Sequence, residues 1–253
     1  IGYGNIGSQL SIIAEALGLE VHFYDVEDKL ALGNAHYTAS MEELLGKVDI
    51  VSLHVDGRAE NELFFGEKEF DAMKDGAVFL NLARGFTIDV PVLAKHLKSG
   101  KIRGASVDVF PIEPKSNQEE FISELRGLPN LILTPHIGGS TEEAQESIAQ
   151  FVPSKIKDYI NTGNTFSSVN FPNLQLPKLK NAHRLIHTHH NKPGVLAKIN
   201  NVLVKHNANI LGQYLKTNEN VGYIIIDIDK AYDKQLITAL KTVDNTIRFS
   251  VVD

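Results

Sequence analysis

From Ile1 to about Ile137, short apolar runs alternate with amphipathic stretches of helical period, the pattern of repeated βα units and a parallel sheet. The apolar runs predict strands over 20–24, 50–54, 77–82, 104–109 and 130–134. Helices are expected between them: over 6–17, after Ser40, where Ser40-Met41-Glu42-Glu43 reads as a capping box, and from about Asp89, with Pro91 in the first turn. A second capping box, Ser140-Thr141-Glu142-Glu143, predicts a long helix reaching toward Ile160 and kinked at Pro153.

The pattern then changes twice. Residues 165–177 carry two prolines and no period, and read as an interdomain linker. Beyond them come strand 183–189, the turn Asn191-Lys192-Pro193-Gly194, helix 195–206, strand 208–216, strand 222–227, helix 232–243 and strand 246–252. That order, βαββαβ, is ferredoxin-like, a two-layered unit expected to leave one sheet face open and to pair its edges with another copy. The expected organisation is therefore α/β throughout: a doubly wound parallel domain over 1–139, a crossover helix and linker over 140–180, and a ferredoxin-like domain over 181–253.

Composition narrows the function. With 43% hydrophobic and 22% charged residues the chain is an ordinary globular one, and no apolar run approaches the ~20 residues of a membrane span. A formal net charge of -6 argues against nucleic acid, which needs clustered Lys and Arg. The absence of Cys excludes disulfides, thiol nucleophiles and thiolate metal sites, and fits a cytoplasmic protein.

The first chemistry lies at the start, Gly2-Tyr3-Gly4-Asn5-Ile6-Gly7, a G-x-G-x-x-G turn opening a helix. Glycines there let the backbone turn tightly and approach a pyrophosphate, while the helix N-terminus faces the phosphate charge. Asp25, 18 residues after Gly7 at the end of the next apolar run, is placed to accept ribose hydroxyls and to repel the extra phosphate of NADP, so NAD is the expected cofactor. Only Ile1 precedes Gly2, where a strand of about five residues is expected, so the chain reads as an N-terminally truncated fragment. Four polar groups, Arg84, Asp108, Glu113 and His136, follow predicted strands, at the edge where open parallel sheets bind ligands.

The glycine turn and ribose-binding acid, Asn81-x-x-Arg84-Gly85, Val107-Asp108-Val109-Phe110-x-x-Glu113-Pro114 and Thr134-Pro135-His136-Ile137-Gly138-Gly139 together resemble the D-isomer-specific 2-hydroxyacid dehydrogenases. The resemblance implies a Rossmann-type NAD domain in which Arg84, Glu113 and His136 are catalytic: His136 as the base, Glu113 holding its other nitrogen, Arg84 gripping the substrate carboxylate. It further implies cofactor contacts from Gly2, Gly4, Asn5, Ile6, Gly7, Asp25, Leu82, Ala83, Asp108, Gly138 and Gly139, with Asp108 on the nicotinamide carboxamide. The longer string Leu133 to Gln145 looks most like the members acting on 3-phosphoglycerate in serine synthesis. Another D-2-hydroxy acid such as 2-hydroxyglutarate, or a non-catalytic NAD-sensing regulator, are the alternatives.

Two positions depart from the family pattern: Val55-Asp56-Gly57-Arg58 stands where Val-Pro is usual, replacing a rigid turn with a flexible, charged one beside the cofactor, and Ala83 stands where Ser is common. His187-Thr188-His189-His190-Asn191-Lys192-Pro193-Gly194 has two His on one strand face but no accompanying carboxylate or Cys, so no metal is expected. This piece resembles an ACT domain, which implies L-serine as an allosteric effector, held by His189 and Asn191 and, from a facing subunit, Asn209, within a homo-oligomer, tetrameric in full length. By the same resemblance, 140–180 is a remnant of the substrate domain, and the piece alone is expected to be inactive.

Overall fold

A computed structural model describes residues 1–116, 118–177, 179–229 and 231–252. Lys178 of the expected linker and Asp253 at the end of the expected C-terminal domain lie outside the described residues. Two compact units divide the chain, Ile1–Gln145 and Glu146–Asp253.

The first unit runs α1 (Asn5–Ala16), β1 (His22–Phe23), β2 (His36–Tyr37), α2 (Met41–Lys47), β3 (Ile50–Leu53), α3 (Glu67–Ala72), β4 (Ala77–Asn81), α4 (Val90–Ser99), β5 (Ile102–Val107) and β6 (Leu131–Leu133), then enters α5 (Glu142–Thr162). Every strand pair is parallel: β1 with β2, and β3-β4-β5-β6 in that order. Ile1 and Gly2 sit between the two sheets. The Ile1 ammonium donates to Ser52 O, His54 N donates to Ile1 O, and Gly2 N donates to Tyr24 O at 2.9, 2.8 and 2.9 Å. The order β2-β1-Ile1-β3-β4-β5-β6 is the doubly wound one, with its switch point between Ile1 and β3. In β4 the alternation of Ala77, Phe79 and Asn81 toward the interior follows the period of two. Phe79 meets Phe65 and Phe70 with ring centroids 5.0 Å apart in both cases, and each fully buried ring contributes roughly 1.5–3 kcal/mol.

Caps end the helices largely as their residues require. Ser40 Oγ accepts from Glu43 N at 3.2 Å, and Asp89 from Val92 N at 3.2 Å with Pro91 in the first turn. At α5 the cap is shifted by one from the expected box, because Thr141 Oγ1 accepts from Ala144 N at 3.2 Å while Ser140 Oγ donates to His136 O. This helix continues through Pro153 rather than being interrupted there.

The second unit adds β7 (His183–His190), α6 (Val195–Lys205), β8 (Ile210–Thr217), β9 (Val221–Ile228), α7 (Lys234–Lys241) and β10 (Thr246–Val252). They form an antiparallel sheet of order β10-β7-β9-β8, the ferredoxin-like arrangement. Both helices pack on one face, through Val195, Ile199, Leu203, Leu236 and Leu240 against Leu185, Ile224, Ile226 and Ile228.

The opposite face, expected to be open, is covered. Phe171, Leu174 and Leu176, from the stretch that reads as linker, pack on Ile186, Tyr223, Ile225 and Val252. A buried ion pair holds them there. Arg184, 1% exposed, donates Nε and Nη2 to the two Asp227 oxygens at 2.7 Å each, and its remaining donors reach Thr162 O, Leu176 O and Pro177 O at 2.9, 3.0 and 2.8 Å. All five guanidinium N–H groups are thereby used. Tyr223 Oη donates to Gly163 O at 2.6 Å, and burial raises its pKa. None of the helices among the described residues is long and apolar enough to cross a membrane.

Candidate active site

The glycine turn is shaped by close approaches. Gly2 has φ +86, and a Cβ there would lie 2.6 Å from His54 O; one on Gly7 would lie 2.1 Å from Gly2 O. Both positions need glycine for the turn itself. Gly4, which caps α1, is different: a Cβ on it would meet nothing within 4 Å, so open space lies above the helix N-terminus, flanked by the exposed Asn5 and Ile6. That combination fits a dinucleotide's pyrophosphate. Asp25 closes the same turn from the end of β1, its Oδ2 accepting from Tyr3 N at 2.7 Å and its Oδ1 from Glu27 N at 2.9 Å.

The register of the main sheet aligns the other candidates. Asn81 in β4 lies opposite Val107 in β5, and Val107 opposite Leu133 in β6, so the segments 82–85, 108–113 and 134–139 leave one sheet edge side by side. Asn81, fully buried, shapes the first: its Oδ1 accepts from Ala83 N at 3.0 Å and its Nδ2 donates to Arg84 O at 3.1 Å. Leu82 and the Arg84 side chain are left exposed, the guanidinium donating to Ala83 O at 2.7 Å. Gly85 then passes so close to the next segment that a Cβ on it would lie 2.0 Å from the Phe110 carbonyl carbon.

His136 and Glu113 meet directly. His136 Nδ1 lies 2.9 Å from Glu113 Oε2 and 3.1 Å from Oε1, which also accepts from Phe110 N at 2.9 Å. Burial by itself pushes the Glu113 carboxyl up, but the bonds from His136 and Phe110 and the nearby imidazole outweigh it and hold the pKa below the usual carboxylate range. This contact assigns the proton to Nδ1 and leaves the Nε2 lone pair free. His136 has φ +53, an uncommon conformation for a residue with a side chain.

Asp108 holds that conformation. It is 2% exposed, and its oxygens accept from Thr134 Oγ1, Ile137 N and Gly138 N at 2.6, 3.0 and 3.1 Å. Burial opposes its charge, yet these three bonds prevail and the pKa is lowered. Asp108, expected on the nicotinamide carboxamide, has its carboxylate engaged by the loop that carries His136. Gly138 packs 3.3 Å, from its absent Cβ, against Asp108 Oδ2, and Gly139 O accepts from Gln145 Nε2 at 2.6 Å. Asn81, Gly85 and Thr134 shape this site without having been singled out as site residues. Their signal in the sequence was membership of Asn81-x-x-Arg84-Gly85 and Thr134-Pro135-His136, at or beside the carboxyl ends of strands.

The departing loop after β3 has a local order of its own. Asp56 receives Arg58 through Nε at 2.8 Å and Nη2 at 2.6 Å, and Asn61 Nδ2 at 2.9 Å. Gly57 lies beside Arg84, its absent Cβ 3.3 Å from Arg84 Nε.

In the second unit His189 and Asn191 lie at one end of β9, and Asn209, expected to act from a facing subunit, lies at the other. His189 is 3% exposed, its ring over Gly222, where a Cβ would lie 2.2 Å from Nε2. Asn191, exposed at the end of β7, donates to Asn218 O at 2.8 Å. Asn209 precedes β8, and its N donates to Asp229 Oδ1 at 3.1 Å. Because His189 pairs with Gly222 and Ile210 with Ile228, the length of β9 separates them. His187 shares the buried face with His189 and bonds Thr246 Oγ1 through Nε2 at 2.9 Å.

Comparison with known proteins agrees with this architecture. Residues 1–138 match the family described as D-isomer specific 2-hydroxyacid dehydrogenase, NAD binding domain, and residues 185–248 match an AHAS small subunit-like ACT domain. The chain belongs to the D-isomer specific 2-hydroxyacid dehydrogenase family, and its cofactor is NAD. It is 50% identical over 252 residues to D-3-phosphoglycerate dehydrogenase of Haemophilus influenzae, spanning all of this chain and 62% of that protein. It is 45% identical over 250 residues to the Escherichia coli K12 enzyme of the same name, spanning 98% of this chain and 61% of that one. Among solved structures, the NAD-complexed D-isomer specific 2-hydroxyacid dehydrogenase from Lactobacillus delbrueckii ssp. bulgaricus matches with TM-score 0.57 and 31% identity, covering 67% of this chain and 54% of that one. A glyoxylate reductase from Paecilomyes thermophila matches with TM-score 0.56 and 32% identity, covering 67% and 50%.

Proposed function

We propose that the protein oxidises 3-phosphoglycerate to 3-phosphohydroxypyruvate with NAD, in the cytoplasm, and is inhibited by L-serine. The observation that carries the chemistry is the Glu113–His136 contact at the sheet edge that also bears Arg84. The names of the relatives, 45–50% identical to this chain, support the substrate.

Bound NAD supplies the hydride acceptor. The glycine turn and the N-terminus of α1 would hold the pyrophosphate of NAD, and Asp25 would take its ribose hydroxyls. Arg84 binds the substrate carboxylate through its planar fork, which fixes C2 for loss of hydride. His136 Nε2 takes the proton of the C2 hydroxyl as the carbonyl forms, while the bound NAD would accept the hydride from C2. Glu113 keeps Nδ1 protonated and stabilises the imidazolium produced. In reverse, the same imidazolium returns the proton and Arg84 polarises the carbonyl.

Serine control follows the ACT unit. With His189 and Asn191 at one end of β9 and Asn209 at the other, a second copy with its exposed β8 edge alongside would bring Asn209 to the first copy's Asn191. Inhibition then works through differential affinity of serine for two states of the oligomer. Asn191→Ala or Asn209→Ala should weaken serine inhibition while uninhibited velocity persists. An unchanged inhibition curve in both would refute this site.

A further inference from the structure

We infer that Arg58 is a positioning residue for the substrate carboxylate: it occupies the Asp56 carboxylate and so leaves the Arg84 guanidinium free for substrate. The role of Arg84 proposed above is the reading on which this rests. Leu53 at the end of β3 pairs with Asn81 at the end of β4, so residues 54–58 leave the sheet beside residues 82–85. Gly57 lies against the Arg84 side chain, its absent Cβ 3.3 Å from Nε and 3.7 Å from both Cδ and Cγ. Asp56, one residue earlier, is close enough for the Arg84 charge to contribute to the lowering of its pKa.

Two guanidinium groups thus stand near one carboxylate, and the contacts show which of them holds it. Arg58 Nε donates to Asp56 Oδ1 and Oδ2 at 2.8 and 3.0 Å, and Nη2 to Oδ2 at 2.6 Å. A 3-10 turn over Ala59–Asn61 brings Asn61 Nδ2 back onto Asp56 Oδ1 at 2.9 Å and Asp56 O at 3.0 Å. Arg84 has no ion pair among the described residues, and its guanidinium donates only to Ala83 O at 2.7 Å. A planar fork already filled by a protein carboxylate could not receive the carboxylate of a substrate.

The departure of this loop from the family pattern acquires a reason. A proline at position 56 carries no charge beside Arg84. In this chain a carboxylate stands there, and the guanidinium that answers it stands two residues on. Without Arg58, the nearest cation left for Asp56 would be the one the reaction needs.

The test uses the protein as its cell produces it, loaded with NADH and titrated calorimetrically with oxalate, a planar dianion that presents a carboxylate to Arg84 as a 2-oxo acid does. KM and kcat with 3-phosphohydroxypyruvate are measured on the same proteins. Arg58→Gln should weaken oxalate about fivefold, the strength of a well-formed exposed pair, and should raise KM by a similar factor with kcat within about twofold of wild type. Asp56→Asn combined with Arg58→Gln should restore both, because the competing carboxylate is gone. A direct contact of Arg58 with substrate, or a purely structural role in the loop, predicts no such restoration. Absence of oxalate binding by the wild type, an affinity unchanged in Arg58→Gln, or a loss that the second substitution does not restore would overturn the proposal. A wild type that binds oxalate without turning over 3-phosphohydroxypyruvate would refute the substrate reading instead.

Discussion

Gly85 and Phe110 approach so closely that a Cβ on the first would stand 2.0 Å from the carbonyl carbon of the second. The two residues belong to neighbouring strand ends, so this backbone contact sets the distance between the loop of Arg84 and the loop of Glu113. A methyl group cannot be accommodated without moving one loop. Gly85→Ala should cost at least ~1–3 kcal/mol, read as a lower Tm, and should reduce kcat far more than it weakens NAD binding. Unchanged kcat would mean that the loop spacing is not critical.

The glycines of the turn should separate structure from binding. Gly7→Ala places a Cβ 2.1 Å from Gly2 O and should destabilise the first unit even without cofactor. Gly4→Ala adds a methyl group to open space, so the stability of the cofactor-free protein should fall by no more than about 1 kcal/mol, the cost of Ala at an N-cap, while NAD affinity falls. Calorimetric melting with NAD titration distinguishes the two.

Arg184 and Asp227 form the most deeply buried ion pair of the second unit, both 1% exposed. Arg184→Met strands the Asp227 carboxylate and the carbonyls of Thr162, Leu176 and Pro177, with an expected loss of about 3–5 kcal/mol. Replacing both, as Arg184→Met with Asp227→Leu, should recover part of that loss, and denaturant melts of the four proteins measure the coupling.

These elements also mark what the amino-acid pattern could tell. The strands of the parallel sheet were legible because Ala77, Phe79 and Asn81 point inward at every second position, and the ferredoxin-like order because its apolar runs are long. β2 was not: two exposed residues, His36 and Tyr37, carry no period. Arg184 and Asp227 are 43 positions apart, and nothing local in either strand announces the pairing or the Leu174–Leu176 cover that it holds. The site residues were found as types in order along the chain. Their division of labour was not visible, since whether Asp108 meets a ligand or the His136 loop depends on Thr134, Ile137 and Gly138 folding back onto it.

Stability should depend on pH through His187. Burial, followed by the neighbouring His189, lowers its pKa from 6.5 to about 4. The unfolded chain therefore takes up a proton near 6.5 that the folded state refuses until about 4, so stability is full above that window and falls as pH drops through it, by up to about 3 kcal/mol. His54, lowered to about 4 mainly by burial, acts with the same sign in the first unit. Melts of wild type and His187→Leu between pH 7.5 and 4.5 should therefore differ in slope, the variant being flatter; parallel curves would contradict the assignment.

The most direct measurement is NADH oxidation with 3-phosphohydroxypyruvate by the protein as its cell produces it, in wild type and His136→Ala. The account predicts turnover in the wild type, a loss of roughly 10²–10⁴-fold in the variant, and NADH binding retained in both. A wild type that binds NADH without turning over, or a variant as fast as wild type, would contradict it.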